Sequence, residues 1–427
     1  MRIAPSLLLS LAVASLLRGQ QSGPALGEAA SQTLAHTFAT ADTWSLQAMA
    51  LFSLGTDWHP AASDALAAAL ASKDLRLCAF AIEQLRRTNA RVLGSVCTTA
   101  VIDALVDKHA ISKHALLQRR ALEVLVRVFP DLDPKKPMLL APWWREKRAT
   151  YAPSPWSPME RDGDQGGTVA GGIMDKAMDL REAGLQVAFV VDSTGSMQAA
   201  IDAVRDAIAE ITAILAGIAP KLELGLVHYK DFGDMVDLDK AAEILVPLSK
   251  NTKTVRDRLA KLRASGGGDI PERVEKGIEC ALGKDMGWDE DKNRMLLVVG
   301  DAPPHAETQA ALLAMVKNAY EKPFEDEKRP TTGKKKKLRP FVTSTIATHK
   351  DANPWFQDIA DAGGGTMVLL DLGGPVGLLR GGKAGDQETA PELIAKHVLR
   401  LSFGAQWKDQ IDVFVGTFFD YRRAGVF

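Results

Sequence analysis

Between residues 184 and 405, apolar runs of strand length alternate with helical stretches, and this alternation constrains the fold more than any other feature of the chain. The runs are Gln186–Val191, Leu222–Tyr229, Ile244–Leu248, Met295–Gly300, Phe341–Ala347 and Met367–Leu370. Helical spacing marks Met197–Ile218, Thr254–Arg263, Pro271–Leu282, Ala306–Tyr320, Pro354–Ala362 and Pro391–Leu401. A strand that is apolar at successive positions needs cover on both faces. The pattern therefore predicts an α/β domain with a doubly wound, mostly parallel six-stranded sheet. The second and third runs have no helix between them, which predicts an antiparallel hairpin at one sheet edge.

The chain has 427 residues, more than one ordinary core accommodates. Upstream, residues 28–130 carry short amphipathic stripes such as Leu75, Cys78, Ala79, Ile82 and Leu85, or Leu117, Ala121, Val124, Leu125 and Val128. Asp74 and Ser112 stand where helix N-caps are wanted. The helices recur in pairs at a loose spacing of about 31–40 residues, which resembles HEAT-type repeats and predicts an all-α helical-repeat domain. Such a region either offers a concave docking surface or is a bundle that packs on its neighbour. Residues 131–183 are rich in proline and then glycine, lack periodicity, and read as a linker in which Trp143, Trp144 and Trp156 anchor the chain to a domain surface. Residues 406–427 read as a C-terminal tail that packs back on one of the two domains.

Arg2 followed by the apolar stretch from Ile3 to Leu17 reads as a signal peptide over residues 1–22, which predicts a periplasmic or secreted protein with no membrane span once it is removed. With only three cysteines, a disulfide framework is not expected, and Cys78 reads as a small buried hydrophobe. The formal net charge of −1 gives no global field toward nucleic acid. The one strongly basic stretch, Lys328 to Arg339, lacks interleaved aromatic residues and reads as a solvated loop, so no nucleic-acid partner is expected.

Acidic residues gather at the carboxyl ends of the strands. The first strand runs into Asp192-Ser193-Thr194-Gly195-Ser196, where alternate residues of an extended loop aim one carboxylate and two hydroxyls the same way. A second loop reads Gly266-Gly267-Gly268-Asp269-Ile270-Pro271-Glu272, with Pro271 suited to the first turn of the next helix, and either Asp269 or Glu272 can reach the same point. A third begins at Asp301, directly after the strand Met295–Gly300. In a doubly wound sheet, ligands bind outside the carboxyl strand ends where strand order reverses. Oxygen donors of this kind suit Mg²⁺, Ca²⁺ or Mn²⁺.

These motifs resemble the metal-ion-dependent adhesion site of von Willebrand factor A domains. The first differs from the usual Asp-x-Ser-x-Ser only by Thr194, which keeps the hydroxyl. The Asp-x-Pro-Glu of the second loop looks like the integrin β-subunit version, in which the glutamate reaches the metal. The resemblance thus implies Asp192, Thr194, Ser196, Glu272 and Asp301 as metal ligands, with Asp269 a ligand of the same or a neighbouring site. It also implies a cation with an open position that takes an exposed Asp or Glu of a protein partner.

The acidic tip from Tyr229 to Asp239 follows the second strand toward the same edge; it reads either as a rim that selects partners or holds a second cation, or as a solvated turn. No Gly-x-Ser-x-Gly elbow or phosphate-binding loop is present, His305 reads as a loop-surface residue, and His228 reads as packed within its strand. The expectation is a non-enzymatic, metal-dependent binding protein. The alternatives are a metal-independent helical scaffold, or an adhesion module attached to a weak hydrolase.

Overall fold

The computed structural model describes residues 26–157, 172–232, 234–235, 240–267, 270–326, 339–370 and 388–427. The stretch read as a signal peptide and the loop from Lys328 to Leu338 lie outside them, as does Asp269. The chain divides into two compact units: Met1–Gly172 together with Asp420–Phe427, and Ile173–Phe419. Among the described residues no helix is long and apolar enough to cross a membrane.

The first unit is all helical: α1 (Glu28–Thr40), α2 (Trp44–Phe52), α3 (Ser63–Ala71), α4 (Leu75–Arg87), α5 (Ala90–Val96), α6 (Thr99–Ala104), α7 (Ala115–Val128) and α8 (Leu140–Lys147). The stripes seen in the sequence are its core. Cys78, Ala79, Ile82 and Leu85 of α4 are buried, as are Leu117, Ala121, Val124 and Leu125 of α7. Each Leu, Ile or Val among them contributes about 1.5–3 kcal/mol by leaving water. The Asp74 carboxylate accepts the Arg76 amide at 2.9 Å, capping α4. At the other end of α4, the Arg127 guanidinium donates to the carbonyls of Leu85, Arg86 and Thr88, satisfying groups the helix leaves open. Ser112 is not an N-cap: α7 starts at Ala115 with His114 before it, and the Ser112 hydroxyl accepts the His114 amide instead.

Among its described residues, the segment 131–183 includes regular structure. It contains α8, and Ile173–Ala183 forms α9. Helix α8 is held by tryptophan: Trp144 is buried and its indole N–H donates to Asp103 at 2.7 Å. Trp156 donates to the Trp58 carbonyl at 3.0 Å. The proline-rich sequence hid α8, which is tied down through Trp144. All three cysteines are free thiols, and Cys78 and Cys97 are buried.

In the second unit the strands are β1 (Leu185–Asp192), β2 (Leu222–Tyr229), β3 (Ala242–Ser249), β4 (Asn293–Gly300), β5 (Phe341–Ala347) and β6 (Gly364–Leu369). They form one six-stranded sheet in the order β3-β2-β1-β4-β5-β6. Only the β2–β3 pair is antiparallel, with β3 at the edge. The helices are α10 (Gln198–Ile218), α11 (Thr252–Lys261), α12 (Val274–Leu282), α13 (Gln309–Asp326), α14 (Asn353–Ala362), α15 (Ala390–Phe403) and α16 (Lys408–Arg423). β1 is buried along its whole length, as the apolar run Val187–Val191 requires. Helix α12 presses on the sheet at Gly277, where a Cβ would come within 2.6 Å of the Tyr229 ring and 2.8 Å of Val190. Asp179 of α9 and Arg339, just ahead of β5, form a two-pronged ion pair at 2.9 and 2.7 Å.

Helix α12 begins at Val274 rather than at Pro271. The backbone at Glu272 is engaged elsewhere: its amide donates to the Pro303 carbonyl at 3.0 Å, and Glu272 bridges to Pro304. Most of the C-terminal stretch is one helix, α16. Most of α16 belongs to the sheet unit, while Asp420–Phe427 belongs to the helical unit.

Candidate metal centre

Strand order reverses between β1 and β4: the chain moves from β1 to β2 on one side and from β4 to β5 on the other. The crevice of a doubly wound sheet opens at such a point. The register pairs Val191 with Val299, so Asp192 and Asp301 emerge at the same end of adjacent strands. The order-reversal edge thus receives a carboxylate from each of the two central strands.

Backbone contacts stitch the loops at this edge together. The Gly195 amide donates to the Gly266 carbonyl at 3.0 Å, and the Ser265 amide to the Ser193 carbonyl at 3.1 Å. The Glu272 amide reaches the loop after β4, as described above. Gly267, at φ +74°, sits where a Cβ would lie 2.8 Å from Thr194 Cβ and 3.2 Å from Glu272 Oε1. A side chain there would fill the space between a hydroxyl residue and a carboxylate, and the backbone conformation itself favours glycine.

The side chains interlock within this frame. Asp192 Oδ1 accepts both the Thr194 amide at 2.8 Å and the Thr194 hydroxyl at 2.7 Å. The Ser196 hydroxyl donates to Asp301 Oδ2 in a short contact. Ser196 is exposed and Asp301 half-buried, whereas Asp192 is 0% and Glu272 3% exposed. The structure therefore groups Asp192 with Thr194, Ser196 with Asp301, and Glu272 with Thr194 across Gly267. Asp269 is outside the described residues.

Three buried oxygens here have no hydrogen-bond partner among the described residues: Asp192 Oδ2, Glu272 Oε2 and the Tyr229 hydroxyl. An unsatisfied buried carboxylate oxygen is costly. Burial, reinforced by Asp301, pushes the Asp192 carboxyl up to about 7 despite the hydrogen bonds from Thr194. Burial and the neighbouring Asp192, Asp231, Asp234 and Asp301 push Glu272 up to about 8. Among the described residues no three His, Cys, Asp or Glu side chains form a metal-holding group by themselves. The donor set is a mixed one, of carboxylates and hydroxyls. Orphaned carboxylate oxygens beside hard hydroxyl donors fit a hard divalent cation.

Sequence reasoning missed the residues that brace this edge. Asp231 accepts from His305 Nε2 at 3.1 Å and lies 3.6 Å from the Arg273 guanidinium. Asp234 accepts the Gly267 amide at 2.7 Å, and Lys230 donates to Ser265 Oγ at 2.9 Å. His305 thus ties two loops together rather than decorating one. The Ser193 hydroxyl lies 3.0 Å from His228 Nδ1, and both residues are buried. The acidic run after β2 was the available signal, but its contacts depend on how the 265–273 loop folds over it.

Comparison with known proteins agrees with the fold of the second unit. Residues 186–371 match the von Willebrand factor A domain family. No curated protein matches the chain. Among solved structures, a conserved hypothetical protein, BatB from Bacteroides thetaiotaomicron, is similar at 14% identity, with a TM-score of 0.34, over 52% of this chain and 100% of that one. That likeness is too slight to bear on function. The match spans β1 through β6 and contains every loop of the acidic edge, and the chain therefore carries a von Willebrand factor A domain preceded by an all-helical region.

Proposed function

We propose that this protein binds a partner protein through a divalent cation held at the order-reversal edge of the sheet, and that it is not an enzyme. Domains of this family mediate protein interactions, which supports the general class. The finer reading rests on one observation: the carboxylates of Asp192 and Glu272 are buried side by side with an orphaned oxygen each. Buried near each other, the two carboxyls both ionise only with a compensating cation at hand.

Asp192, Thr194, Ser196, Glu272 and Asp301 would hold the ion, with Asp269 as a further donor. The cation, Mg²⁺ or else Ca²⁺ or Mn²⁺, would offer a coordination position to an exposed Asp or Glu of the partner. Ser196 and Asp301 stand at the open side of the crevice, where a partner side chain has access. Asp192 is fixed from within by Thr194, so its geometry survives without a ligand. We further propose export to the periplasm or beyond, on the strength of the basic and apolar N-terminal sequence; N-terminal sequencing of the mature protein would test it.

Titrating Mg²⁺ against thermal stability tests the metal reading. The intact protein is expected to melt higher with Mg²⁺ and Asp192→Ala to show no such response. Absence of stabilisation in the intact protein, or equal stabilisation in the variant, would overturn it.

A further inference from the structure

One buried cation lies beside the carboxylates. Lys230 directly follows β2 and is 5% exposed. Its ammonium donates to the carbonyl and hydroxyl of Ser265. The Ser265 amide in turn is bonded to Ser193, the residue between Asp192 and Thr194. The charge of Lys230 is thereby pinned next to the crevice. Burial pushes the lysine down from its usual range, and Asp234, Asp192 and Glu272 pull it back up. The ammonium also works on Asp192 in the opposite sense to Asp301, favouring its ionised form.

We propose that Lys230 is a resident counter-charge for the acidic edge, which steadies the metal-free protein and lowers its affinity for a divalent cation. The inference rests on the metal-binding reading above and adds a control of occupancy to it. A fixed positive charge near buried carboxylates partly relieves their repulsion. The same charge repels an entering dication, and a buried charge is screened less than an exposed one. Occupancy then follows the surrounding metal concentration instead of being permanent. A lysine that served only to brace the Ser265 loop would have the reverse effect: its loss would loosen the site and weaken binding. The sign of the change separates the two roles.

The test is calorimetric titration of the full chain with MgCl₂ at pH 8, together with melting of the metal-free protein. Lys230→Gln, which keeps a donor but no charge, is expected to bind Mg²⁺ about tenfold more tightly and to melt lower without metal. Lys230→Arg and Ser265→Ala keep a charge and are expected to stay within about threefold of the unmodified protein. Unchanged or weaker binding by Lys230→Gln overturns the inference. If that variant fails to fold without metal, recovery on adding Mg²⁺ upholds the counter-charge and failure to recover overturns it. If the unmodified protein and Asp192→Ala both ignore Mg²⁺, the metal reading itself falls and takes this inference with it.

Discussion

The Ser196 hydroxyl donates to Asp301 Oδ2 across 105 residues of sequence. This bond joins the loop after β1 to the loop after β4, on the two strands between which the sheet reverses its order. Both groups are hard oxygen donors, and their hydrogen bond ties the two loops together at the open side of the crevice. The crevice is therefore shaped before anything binds, which limits the ordering cost of binding.

Neutralising the inner carboxylate should separate stability from metal response. Asp192→Asn keeps an oxygen for the Thr194 amide and hydroxyl but removes the buried charge. At pH 8 without metal the variant is expected to melt higher than the unmodified protein, and its response to Mg²⁺ should be lost. Differential scanning fluorimetry with and without Mg²⁺ checks both halves; a lower metal-free melting point would contradict the first.

Gly277 in α12 should resist even the smallest side chain. Alanine would gain about 1 kcal/mol of helix propensity. It would also meet the Tyr229 ring at 2.6 Å and Val190 at 2.8 Å, neither of which is free to retreat. A net loss of about 1–3 kcal/mol is expected for Gly277→Ala, measured by urea unfolding. An equal or more stable variant would show that α12 can lift off the sheet.

The Asp179–Arg339 pair gives a pH signature. The Arg339 guanidinium holds the Asp179 carboxyl well below the usual carboxylate range. A depressed folded-state pKa means that the unfolded chain takes up the proton first, so the contribution is complete above the unfolded value of about 3.9 and fades below it. The stability difference between the unmodified protein and Asp179→Asn should be constant from pH 8 to 5 and shrink as acid is added beyond that. A difference that grew in acid would have the wrong sign.

His397, buried in α15, should act over a higher window. Burial, with Arg400 adding to it, pushes its pKa down to about 3. Between about 6.5 and that value the unfolded chain binds a proton that the folded one does not, so stability falls with acid by up to about 1.4 kcal/mol per pH unit. His397→Gln should flatten this slope relative to the unmodified protein in denaturant melts taken from pH 7 to 4. Parallel curves for the two proteins would refute the assignment.

Much of the fold was legible because its strongest elements satisfy one rule. β1 is buried throughout and β4 from Met295 onward, and the stretches Val187–Val191 and Met295–Val299 are apolar without interruption. β6 was less legible: it begins at Gly364, ahead of its first apolar residue, since the backbone pairs with Thr343 of β5 whether or not the side chains are apolar. Pro271 misled the start of α12, because contact with Pro303 outranked a local preference that only the helix could have used. At the acidic edge, topology alone brings the loops after β1 and β4 together, so Asp192 and Asp301 could be read as neighbours. The roles of Lys230, Asp231, Asp234 and His305 could not, because each depends on a contact between loops with no repeating pattern.

The strap from Asp179 to Arg339 bears on where this domain can be cut. The family match starts at residue 186, downstream of α9, and stops at 371, upstream of α15. A fragment trimmed to those limits would strand the Arg339 guanidinium without its carboxylate and strip away Ile394, Val398 and Phe403, all fully buried in the intact chain. The compact unit runs from Ile173 to Phe419, and a recombinant version designed on the shorter limits would present to solvent an oily flank that the intact chain keeps dry.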